Sequence, residues 1–163
     1  MKALQSVLEE IDGTLFELVD ETEVALPNMV GRVQRGRLIF GEKDPIPMIS
    51  ILEVPIPLDQ IVPPIDSSYS SGTWELLIQG FAKDDVDFPT DPAHILMAAA
   101  KKRLAEEKRK NRDYNILGMG NHVTGMRIGA GVVRPPDEVS AKAYFWLNLS
   151  LDIVEDLFDP FED

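Results

Sequence analysis

Ala143, Phe145, Leu147, Leu149, Leu151 and Ile153 occupy every second position of the stretch 139–154. Successive side chains of an extended backbone point to opposite sides, so this period of two predicts one long strand with a strongly apolar face. The residues between them, Tyr144, Trp146, Asn148, Ser150 and Asp152, are mixed in polarity. That mixture is expected where the second face is only partly covered. Such a strand needs neighbours beside it and a layer across its apolar side.

Other stretches can supply both. Residues 48–54 are a dense apolar run bounded by Pro47 and Pro55, which suits a buried central strand better than a helix. Residues 73–81 are strand-like as well, and 28–40 reads as short or bent β structure interrupted by Gly31 and Gly36. Leu4, Val7, Leu8, Ile11, Leu15, Leu18 and Val19 recur at three- and four-residue steps, predicting a helix over 2–19. Gly13 lies inside it at a cost of about 1 kcal/mol relative to alanine, so the pattern accommodates a break or kink there.

Between Gly72 and Arg112, the strand-like stretch meets an acidic, proline-punctuated turn and then a helix that becomes basic. Asp91 can cap free amides and Pro92 fits the first helical position. Ala93, Leu96, Met97, Ala100 and Leu104 form the inner face of this helix. Its far end carries Lys101, Lys102, Arg103, Lys108, Arg109, Lys110 and Arg112 around Glu106 and Glu107, and cations there complement the helix dipole.

A chain of 163 residues is ordinary for one domain and can bury a sizeable core. With 28 acidic and 16 basic side chains the formal charge is −12, which opposes general adhesion to nucleic acid or anionic membranes while leaving local basic patches possible. Cysteine is absent, which excludes disulfides, thiol catalysis and thiolate metal ligation. The start of the chain soon reaches Glu9, Glu10 and Asp12 and has no continuous apolar core of a secretory signal. The apolar runs fall short of the roughly 20 residues of a membrane span. A soluble protein is the expectation.

Six of the 12 prolines fall between Asp44 and Pro64, and a serine-rich stretch follows up to Gly72. Together they predict an extended arm or long loop over 54–72. Ile56, Leu58, Ile61, Val62 and Ile65 within it need something to pack on, either the same domain or a neighbouring subunit. The acidic segment 155–163, with Phe158 and Phe161, reads as a tail.

Residues with chemical potential have structural readings that fit better. Asp84, Asp85, Asp87 and Asp91 are oxygen-rich, but the spacing is not that of a calcium loop and Pro89 interrupts it. They read as a solvated turn and a helix cap. Gly118 and Gly120, and then Gly129 and Gly131, match neither a phosphate-binding loop nor a dinucleotide fingerprint and read as turns. His94 and His122 have no partner in a recognised catalytic motif, and Ser67, Ser68, Ser70 and Ser71 lack a nucleophile elbow. The basic helix end has interspersed glutamates and no adjacent stacking aromatics, so it reads as a solvated or salt-bridging surface. Catalytic residues, cofactors and bound metals are therefore expected to be none.

An N-terminal helix is followed by residues 35–40 (Arg-Gly-Arg-Leu-Ile-Phe), 47–53 (Pro-Met-Ile-Ser-Ile-Leu-Glu) and 73–81 (Thr-Trp-Glu-Leu-Leu-Ile-Gln-Gly-Phe). Then come 89–92 (Pro-Thr-Asp-Pro) with its helix, and 133–137 (Val-Arg-Pro-Pro-Asp) entering the final strand. This order resembles the tail terminator proteins of tailed bacteriophages (minor tail protein U-like), across most of residues 1–154. The resemblance implies a single α/β (α+β) domain with a mixed, mostly antiparallel sheet flanked by helices, to which the proline-rich loop and the acidic tail are additions.

It also implies a virion protein, assembled in the host cytoplasm, that forms a ring, commonly a homohexamer, at the head-proximal end of the tail. Such a ring stops tail-tube growth, receives the neck or head-completion protein and leaves a channel through which DNA passes without sequence-specific binding. The arm residues Ile56, Leu58, Ile61, Val62 and Ile65 and the cations Lys101, Lys102, Lys108 and Arg109 are then candidates for subunit or partner contacts. Two alternatives stand beside it: another head-closure or connector protein of the neck, and a small divalent-metal-dependent enzyme using the aspartate cluster.

Overall fold

In the computed structural model, residues 1–13, 15–17, 23–38, 43–54, 69–83, 85–110, 115–138, 140–156 and 158 are described. In chain order the elements are α1 (Lys2–Glu9), β1 (Leu15–Glu17), β2 (Glu23–Ala25), β3 (Val33–Arg35), β4 (Met48–Glu53), β5 (Tyr69–Phe81), α2 (Asp91–Lys110), β6 (Val123–Ile128), β7 (Val132–Arg134) and β8 (Tyr144–Asp156). β1 and β2 form a small antiparallel pair. The other six strands make one mixed sheet in the order β3-β4-β5-β8-β6, with β7 also paired to β8. Only β3 and β4 run parallel; the remaining pairings are antiparallel. This is an α+β domain with an open sheet.

The alternating stretch folds as its pattern requires. Phe145, Leu147, Leu149 and Leu151 of β8 are buried, and the register sets Leu149 beside Leu76 and Leu147 beside Ile78, which in turn faces Ile51. Both helices cover this side of the sheet. Leu4, Val7 and Leu8 of α1 join Ala93, Leu96, Ala99, Ala100 and Leu104 of α2 in the same core. β4 is buried at every position but its last, as a strand paired on both sides should be.

Four boundaries differ from the sequence expectation. The helix predicted over 2–19 ends at Glu9, and Leu15 lies in β1, while Leu18 and Val19 fall outside the described residues. Gly13 adopts φ 83°, a left-handed conformation that a right-handed helix cannot contain, and Met29 N–H donates to the Ile11 carbonyl at 2.8 Å. β5 begins at Tyr69, so 69–72 belong to the sheet and not to the arm, whose residues 55–68 lie outside the described part. β8 extends to Asp156, so Glu155 and Asp156 are paired with Ser70 and Tyr69 and are not tail. Its start moves from 139 to Tyr144, after a turn in which Asp137 N–H donates to the Ser140 carbonyl at 2.8 Å.

Tyr144 departs from the partly covered face expected of it. It is fully buried with Met48 and Phe81 in a second, smaller apolar cluster on the opposite side from the helices, and its hydroxyl donates to Asp137 Oδ2 at 2.9 Å. Burial first, and then that hydrogen bond, push the phenol above its ordinary range.

Strand β6 and strand β7 share one edge of β8 with a changing register. Val123 faces Ile153 while Gly125 faces Asp152, and Ile128 faces Leu149 while Val132 faces Trp146. Each interval holds one more residue on the edge strand than on β8, so the ladder is interrupted twice, by a bulge at Thr124 and by the break at 129–131 between β6 and β7.

Gly80 marks the tightest approach in the sheet. A Cβ there would stand in the Phe145 ring, so the ring lies directly over the glycine of the neighbouring strand. Gly80→Ala is expected to lower the free energy of unfolding by about 1–3 kcal/mol through overpacking. Urea denaturation measures this, and the added change Phe145→Leu should return part of the loss.

Candidate functional site

The acidic turn before α2 is an ordered loop. Asp85 Oδ1 accepts from the N–H groups of Asp87 (2.9 Å) and Phe88 (2.8 Å), and Asp91 N–H donates to the Phe88 carbonyl at 3.1 Å. The Thr90 carbonyl then accepts from Ala93 N–H (3.1 Å) and His94 N–H (3.0 Å). Thr90 therefore holds the cap position expected of Asp91, and Asp91 and Pro92 are each one step inside the helix. The Asp91 carboxylate still faces the positive end of the helix dipole. The loop leaves Val86 96% and Phe88 64% exposed.

No group of three or more histidine, aspartate or glutamate side chains among the described residues is placed to hold a metal ion; Asp84 lies outside them. His94 is exposed on the first turn of α2, and His122 Nδ1 lies 3.3 Å from the Val154 carbonyl oxygen. The glycine pairs 118/120 and 129/131 lie in short 3₁₀ turns and in the β6–β7 connection, as read from sequence.

The basic end of α2 divides into cations with different surroundings. Lys101 Nζ donates to the Ala130 carbonyl and ties the helix to the β6–β7 connection. Arg103 is buried; its guanidinium binds Glu10 at the end of α1 and lies 3.8 Å from Glu106 and 3.9 Å from Glu107. Lys102, Lys108, Arg109 and Lys110 are exposed. An open cleft of about 290 Å³ lies between α2 and the residues after α1, lined by Ile11, Leu26 and Ala99, by the carboxylates of Glu10, Asp12 and Glu106 and by the cations Lys102, Arg103 and Lys110. Of the expected contact residues, the four cations are thus on one helix, whereas Ile56, Leu58, Ile61, Val62 and Ile65 lie outside the described residues.

The face of the sheet away from the helices carries a polar constellation that sequence reasoning missed. Arg127 of β6 binds Asp152 of β8 through two hydrogen bonds, 2.7 and 3.0 Å, and Thr73 of β5 donates to Asp152 Oδ1 at 2.9 Å. One strand step away, Ser150 donates to Glu75 Oε2 at 2.7 Å. Gly125 at the bulge leaves space for the carboxylate, because a Cβ there would stand 2.5 Å from Asp152 Oδ2. Farther along the same face, Val132 is 55% and Trp146 is 38% exposed, directly opposite each other. The signal available in sequence was only the polar alternation of Ser150 and Asp152; their partners come from strands 75 and 25 or more residues away.

The hydrogen bonds from Arg127 and then Thr73 hold the Asp152 carboxyl below its usual range, and the same bond raises the Arg127 guanidinium. A depressed carboxyl stabilises the fold above its unfolded pKa of about 3.9 and ceases to do so as pH falls through the lower folded value. Asp152→Asn should therefore lose stability at neutral pH and flatten the acid limb below about pH 4. Denaturation midpoints between neutral and acidic pH read this out. Arg103→Met should cost about 2 kcal/mol, since the buried Glu107 loses the guanidinium 3.9 Å from it; thermal unfolding measures it.

Compared with known protein families and with curated proteins, the chain matches none. Among the described residues no helix is long and apolar enough to cross a membrane.

Proposed function

We propose that this chain is a virion structural protein of a tailed bacteriophage, forming a ring at the head-proximal end of the tail. The ring ends growth of the tail tube, gives the neck protein its attachment surface and leaves a channel for DNA. Its partners are further copies of itself, as a homohexamer, the tail-tube protein and a neck or head-completion protein. The role calls for no catalytic residue, cofactor or metal.

The observation that carries this reading is the fold. A mixed, mostly antiparallel sheet with helices packed on it is the architecture that the resemblance to tail terminators implies, and it is the architecture of this chain. The charge of −12 is consistent with a conduit, since an acidic wall repels a duplex and leaves it free to move.

Native mass spectrometry and negative-stain imaging of the purified protein should give a closed ring of about six subunits. Added to polymerising tail-tube protein, it should cap one end and shorten the tubes. Tubes of unchanged length with no end-bound density would sink the reading, and binding to the portal side alone would point to a head-closure protein instead.

A further inference from the structure

We draw no further inference here: the strongest candidate, the surface patch that the loop 85–88 before α2 makes with exposed Val86 and Phe88 beside Asp85 and Asp87, carries nothing because nothing in the structure shows what covers it.

Discussion

The pairing of β5 with β8 is the constraint on which the rest of the molecule depends. Thirteen residues of each strand face one another from Tyr69–Asp156 to Phe81–Tyr144. Side chains alternate between faces, so a slip of one residue in either strand would send Leu76 and Ile78, or Leu147 and Leu149, away from the helices. The same register brings Thr73 to Asp152, Glu75 to Ser150 and Phe81 to Tyr144 on the other side. One pairing thus sets the apolar core, the polar constellation and the small aromatic cluster together.

The helices are fastened to this sheet by different chemistry at different points. Small residues let α2 approach closely, with Ala93 and Ala100 fully buried. Arg103 then joins the two helices through Glu10, and Lys101 joins α2 to the connection beyond β6. What reads in sequence as one run of positive charge is two structural cations, Lys101 and Arg103, with exposed Lys102 between them and an exposed group beyond. Pairing matters more for Arg103 than for its neighbours, because a charge removed from water is tolerated only with partners in place.

Much of the fold was legible because it rests on short-range pattern. The alternation from Ala143 to Ile153 identified β8, the apolar run at 48–54 identified β4, and the spacing of Leu4, Val7, Leu8 and Ile11 identified the buried stripe of α1. The departures have long-range causes. The Tyr-Ser-Ser-Gly sequence at 69–72 has the composition of a linker, yet it is strand because Ile153 to Asp156 pair with it. The first helix ended at Glu9 although the apolar spacing continued past it, because Asp12 bridges Asn28 and Gly13 takes a left-handed conformation that the pattern does not show. Of the candidate contact surface, the helix cations could be named from sequence, but the assignment of Arg103 to the interior required Glu10, 93 residues away. The Arg127–Asp152 pair likewise depends on a register that no local window contains.

The two interruptions along β6 and β7 have a consequence for this edge of the sheet. An edge strand offers unpaired backbone groups in a row, and a row of that kind can recruit a further strand from another molecule. Here the row is broken twice, and Pro135 and Pro136 follow immediately after β7. At the opposite edge β3 is only three residues long. On these two flanks the row that a strand of another molecule could join is therefore short or interrupted, so fibrillar growth is disfavoured there.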